Sequence, residues 1–93
     1  MGKSVRADIL VFGEVQGVFY RINAYQKAKE LSLCGWVRNL DNGNVEILCE
    51  GEKDTIEKLI DWAKIGPPLA KVEKVDAEWQ ESKREFDDFK ILI

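Results

Sequence analysis

Asn42-Gly43 imposes a chain reversal. Both residues tolerate positive φ, and they lie between two short β-prone runs, residues 35–38 and 44–50, so a β-hairpin is expected there. In the second run Val45, Ile47 and Cys49 share one face while Glu46 and Glu50 share the other, the period-2 pattern of a sheet that buries one side. With Val37 and Val45 facing that same side, Cys34 has the wrong strand parity to sit beside Cys49, which argues against a cross-strand disulfide.

A lone hairpin cannot hide an apolar face, and the flanking sequence supplies the cover. Ile56, Leu59, Ile60 and Ala63 fall at i, i+3, i+4 and i+7, the cleanest helical stripe in the chain. Asp54 and Glu57 are spaced like a capping box at its start, and Gly66-Pro67-Pro68 stops it. Upstream, Ala24, Ala28 and Leu31, with Ile22 and Tyr25 near the same stripe, predict a helix over residues 20–31. Residues 4–12 alternate, with Val5, Ala7, Ile9 and Val11 opposed to Arg6, Asp8 and Leu10. Val75, Ala77 and Trp79 alternate against Asp76, Glu78 and Gln80. Residues 81–85 read as a charged turn, and Phe89, Ile91 and Ile93 as a final strand. The order is β-α-β-β-α-β with an extra C-terminal strand. Two helices of this length cover one face of such a sheet. The expected fold is α+β, a ferredoxin-like two-layer sandwich in which an antiparallel sheet carries both helices on one face. No linker, repeat or low-complexity segment interrupts residues 1–93, which read as a single domain.

Composition narrows the chemistry. The chain is 45% apolar and 33% charged, ordinary soluble usage. It shows no apolar run of membrane-spanning length and no signal peptide, so a cytoplasmic protein without membrane contact is expected. The net charge of −3 opposes a general attraction to nucleic acid. With no histidine, the usual general base near neutral pH is missing, and Cys34 and Cys49 lack zinc-ligand spacing and partners. Both cysteines read as small buried apolar groups.

The candidate site is GEVQGVFYR, residues 13–21. Gly17 lets the backbone turn tightly, so that neighbouring N–H groups converge. The first turn of the following helix adds donors with no intrahelical partner at the positive end of its dipole. Arg21 brings a charged fork shaped for phosphate oxygens. On these residues alone, a glycine-flanked turn into a helix is more often just a turn.

Two stretches together say more. GEVQGVFYR, followed by GWVRNLDNGNVEILCEG at 35–51, resembles the paired signature of the acylphosphatase family, and GPPLAKVEKV at 66–75 is similar to that family's linker into its fourth strand. The resemblance implies hydrolysis of the carboxyl–phosphate bond of small acyl phosphates without metal or organic cofactor. It implies that Arg21 binds the phosphate and that the backbone of Gln16, Gly17, Val18, Phe19 and Tyr20 cradles it. It further implies that Asn39 positions the attacking water. Inorganic phosphate, the product, is expected to inhibit competitively, and the protein to act as a monomer. A carboxylate leaving group has a pKa near ~4 and departs at neutral pH without an enzyme proton, so the absent histidine fits.

Other readings remain open on the residues. Asn39 alone reads as a strand-end cap, and Arg21 alone as a solvated helix residue. Phe19 and Tyr20 read as packing groups. Asp41, Asp87 and Asp88 read as solvated charge rather than an acid/base pair. Glu14, inside the loop, should weaken the local positive potential. Ser32 stands where a glycine is typical after the first helix, which predicts a left-handed residue carrying a Cβ. Two further functions compete: a phosphate- or acyl/carbamoyl-phosphate-binding module docking to a larger enzyme, and RNA binding on the open sheet face. The second wants exposed aromatics and a basic surface.

Overall fold

The computed structural model describes residues 3–93. Its elements are β1 (Ser4–Glu14), α1 (Tyr20–Glu30), β2 (Cys34–Asn39), β3 (Val45–Glu52), α2 (Lys53–Ile65), β4 (Lys71–Glu81) and β5 (Phe89–Ile91). Among the described residues the strands form one sheet in the order β4-β1-β3-β2-β5. β1 lies antiparallel between β3 and β4, and β2 is antiparallel to β3. The last pairing departs from the expected all-antiparallel sheet. β5 runs parallel to β2, with Gly35 opposite Phe89 and Val37 opposite Ile91. The chain leaves β4 at one sheet edge and reaches the other through residues 82–88, so it enters β5 in the same direction as β2.

Register puts the apolar alternation to use. Ala7, Ile9 and Val11 lie opposite Cys49, Ile47 and Val45, and all six are fully buried, as is Val37 opposite Ile47. Ala24 and Ala28 of α1 and Ile56, Leu59 and Ala63 of α2 close over them in one core cluster. The two-layer sandwich follows, because a sheet with one apolar face needs one layer of amphipathic helices. Cys49 lies in this core, where burial pushes its thiol up to about 12. Cys34 faces the other way, its Sγ 3.6 Å from the Glu50 carbonyl oxygen, and both cysteines are free.

The structure corrects three local expectations. α2 begins at Lys53 on a Glu52 N-cap that makes no side-chain cap bond, because β3 runs straight into the helix. Asp54 therefore lies in the first turn rather than at the cap, where a carboxylate still complements the dipole. β4 begins at Lys71, ahead of the alternating run, because it pairs with Gly13 and Glu14 beyond a register shift at Phe12/Gly13. At Gly13 (φ 128°) a Cβ would lie 2.2 Å from the Lys71 carbonyl oxygen. Ala77 and Trp79 point to the helix side but stay exposed on the edge strand, with the Lys53 ammonium over the Trp79 ring at 5.4 Å.

α1 ends as the sequence predicts. Ser32 adopts φ 58°, its N–H donates to Lys29 O and that of Leu33 to Ala28 O. These are the two bonds of a Schellman motif, with serine in the left-handed position that glycine usually fills. The expected charged turn after β4 is instead a strap over part of the open sheet face. Arg6 Nε donates to Glu50 Oε2 and Arg6 Nη2 to Glu85 Oε1, each at 2.9 Å, and the guanidinium lies over the Phe86 ring. Burial pushes the Glu50 carboxyl up, but the Lys83 amide and Arg6 outweigh it and hold the group below its ordinary value. No helix among the described residues is long and apolar enough to cross a membrane.

Candidate active site

The loop between β1 and α1 turns through two residues of positive φ. Gly17 has φ 73° with open space where a Cβ would be. Phe19, the N-cap of α1, has φ 67° and ψ 19° and makes no side-chain cap bond. The first turn also lacks an acidic residue. No N–H from Gln16 to Ile22 donates to an acceptor among the described residues. A run of unpaired amides at an uncapped helix N-terminus is an arrangement that an anion would satisfy.

Around this loop lies a cavity of about 330 Å³ lined by Val15, Gly17, Phe19, Tyr20, Arg21, Ile22, Asn39 and Ile91. It brings Arg21, from the first turn of α1, together with Asn39, the last residue of β2. Arg21 Nη1 donates to the Leu92 carbonyl oxygen at 3.0 Å, which holds the guanidinium against the segment after β5. Asn39 Oδ1 is buried with no hydrogen-bond partner among the described residues. An orphaned buried acceptor is costly.

The remaining sequence-predicted residues divide. Val18 packs against the core from a half-buried position. Tyr20 is a packing group as expected. Its hydroxyl donates to Ala63 O at 2.8 Å, its ring lies 5.2 Å from Trp62, and burial raises its pKa. Phe19 is not: the residue is 66% exposed. Glu14 is exposed at the end of β1, 3.9 Å from Lys71 Nζ, and does not line the cavity. Asp88 is engaged with Lys29 and accepts from the Phe89 amide at 2.8 Å.

Gln16 does something its sequence position did not reveal. Its side-chain Nε2 donates to Leu40 O at 2.7 Å and to Asn44 O at 2.8 Å, pinning the loop to the β2–β3 turn. That turn is itself closed by Leu40 N to Asn44 O and by Gly43 N to Leu40 O. One carboxamide thus joins the element bearing Arg21 to the hairpin bearing Asn39. Long-range side-chain bonds of this kind leave no local pattern to read. No cluster of histidine, cysteine or carboxylate groups among the described residues could hold a metal ion.

Comparison with known proteins decides the family. The model of the family described as acylphosphatase matches residues 7–91. The chain belongs to the acylphosphatase family. Among its relatives is an acylphosphatase of Pyrobaculum islandicum, 47% identical over 91 residues that span 97% of this chain and 96% of the relative. One from Acaryochloris marina is 52% identical over 83 residues, 89% of this chain and 88% of the relative. An acylphosphatase structure from Coxiella burnetii superposes with a TM-score of 0.90 at 40% identity, covering 97% of this chain and 94% of its own. Full-length HypF in a phosphate- and nucleotide-bound form is similar to this family member in only part of its length, with a TM-score of 0.85 at 30% identity over 99% of this chain and 12% of that one.

Proposed function

We infer that this family member is an acylphosphatase whose whole chain, residues 1–93, acts as one catalytic domain on small acyl phosphates. The observation that carries the reading is that Arg21, Asn39, Gly17 and Phe19 line one cavity. The phosphoryl group sits on the free amides from Gln16 to Tyr20, and Arg21 neutralises its oxygens. The Asn39 carboxamide, from the same cavity lining, holds a water and aims it at phosphorus. The water oxygen bonds to phosphorus as the bond from phosphorus to the acyl oxygen breaks. The electron pair leaves on the carboxylate, and the water's proton ends on a phosphate oxygen. No general acid is required, because the leaving carboxylate is stable at neutral pH. Positioning and electrostatic stabilisation supply the acceleration.

The same reading takes inorganic phosphate as a competitive inhibitor and needs no cofactor, with a cytoplasmic monomer as the working form. Loss of one preorganised donor typically costs ~10²–10³ in rate. Arg21→Gln and Asn39→Ala should each lower hydrolysis of a model acyl phosphate by that factor. Arg21→Gln should also abolish phosphate inhibition, whereas Asn39→Ala should spare it. Wild-type turnover in Arg21→Gln would refute the assignment. The partial match to HypF favours a second reading, a phosphate-binding module of a larger assembly. Saturable phosphate binding with no release of phosphate from any acyl phosphate would select it.

A further inference from the structure

Among the described residues, hydrogen bonds hold the loop over residues 15–19 at two points. At one end Gln16 grips the β2–β3 turn. At the other, the Phe19 carbonyl oxygen accepts twice from Asn23, from its backbone N–H at 3.2 Å and from its side-chain Nδ2 at 2.8 Å. The first is the ordinary i to i−4 bond of a helix; the second is shorter and belongs to the side chain. Phe19 has little else to hold it. Its φ of 67° lies in the left-handed region, which is unfavourable for a residue with a Cβ, and at 66% exposure its side chain has little packing to keep it there. The bond also sets a direction. The peptide is trans, so the Tyr20 N–H points opposite to the Phe19 carbonyl. With that carbonyl drawn along the helix to Asn23, the Tyr20 N–H faces out beyond the helix N-terminus, on the side of the unpaired amides. Asn23 itself does not line the cavity.

We propose that Asn23 is a positioning residue: its carboxamide keeps the left-handed turn at Phe19 assembled before a ligand arrives, and so preorganises the Phe19 and Tyr20 amides for a phosphoryl group. The proposal rests on the phosphate cradle assigned above. Without the side-chain bond, Phe19 leaves the left-handed region more often and its neighbouring amides turn with it. A net hydrogen bond shifts such an equilibrium about fivefold. Apparent affinity falls with the fraction of molecules competent to bind. Once the loop has closed on substrate the assembled site is the same, so the loss appears in KM and in phosphate inhibition and not in kcat.

The experiment measures, on the full chain, binding of inorganic phosphate by calorimetry together with kcat, KM and phosphate inhibition for acetyl phosphate. In Asn23→Ala the phosphate Kd and the KM should each rise about three- to fivefold while kcat changes by less than about twofold. Alanine is the better helix former, so Tm should stay within about 3 °C of wild type, and a role confined to helix stability would leave phosphate binding untouched. Asn23→Ser, whose hydroxyl reaches the carbonyl four residues back, should recover most of the affinity. Where the alanine variant does not fold, Asn23→Leu, of similar shape and without a donor, reads the same loss. Wild-type Kd and KM in the variants that lack the donor, or a fall in kcat alone, would overturn the positioning role and leave the acylphosphatase reading standing. Phosphate affinity that depends on Asn23 in a protein that hydrolyses no acyl phosphate would support the positioning role and refute the acylphosphatase reading. No phosphate binding by the wild type would overturn both.

Discussion

Ser32→Gly isolates a backbone cost that no side-chain contact obscures. Ser32 is exposed, sits at φ 58° and contributes its N–H, not its hydroxyl, to the Schellman motif that ends α1. An L-residue in this region carries roughly 1–2 kcal/mol of steric cost from its Cβ. Glycine removes it but loses about 0.5–1 kcal/mol through the greater freedom of the unfolded chain. The net expectation is a stabilisation of about 1 kcal/mol, which for a domain of this size raises Tm by about 4–8 °C. Reversible thermal and urea unfolding would measure it, with the urea slope unchanged because the buried surface is unchanged. Ser32→Ala is the control. It keeps the Cβ, so its midpoint should move by no more than about 0.5 kcal/mol equivalent. A midpoint for Ser32→Gly at or below wild type would refute the argument.

Asp8, on the open sheet face, has a buried Oδ1 with no hydrogen-bond partner among the described residues; burial, then Glu46 and Glu78, raise its pKa to about 6 against the opposing pull of Arg38. Because the folded value lies above the unfolded one, its folded state holds the proton more tightly, and stability is lost as pH rises through 6. Asp8→Asn should therefore stabilise at pH 8 by up to about 1 kcal/mol after solvent screening, with the gain gone by pH 4; equal gains at both pH values would contradict this. Gln16→Leu removes both bonds to the β2–β3 turn and should cost about 1–3 kcal/mol of stability. It should also lower kcat more than tenfold while phosphate inhibition persists, since small displacements of a positioned group are expensive in rate. An unchanged kcat would restrict Gln16 to a structural role.

The core face was legible because strand parity and helical spacing are local. Val45, Ile47 and Cys49 repeat with the period that the sheet imposes, and Ile56, Leu59 and Ala63 with that of α2. The left-handed Ser32 was legible for a similar reason, since the helix-ending chemistry lies within a few residues. The direction of β5 was not, because it depends on where the strap at 82–88 crosses, a matter of Arg6 meeting Glu50 and Glu85 across the fold. The early start of β4 escaped too, since pairing with Gly13 and Glu14 extends a ladder past the point where hydrophobic alternation marks it. In the candidate site, Arg21 and the glycine-bearing loop carried a local signature. The side-chain bonds of Gln16 and the Leu92 carbonyl that holds Arg21 span 24, 28 and 71 positions, distances at which no spacing rule operates. Phe19 was misread because a large aromatic normally belongs to a core.

The tether between Arg21 and Leu92 ties the mouth of the cavity to the far edge of the sheet. β5 is three residues long and, among the described residues, pairs with β2 alone, but Phe89 is buried in the core against Tyr25 of α1. The aim of the guanidinium is thus set by a core aromatic near the other end of the chain.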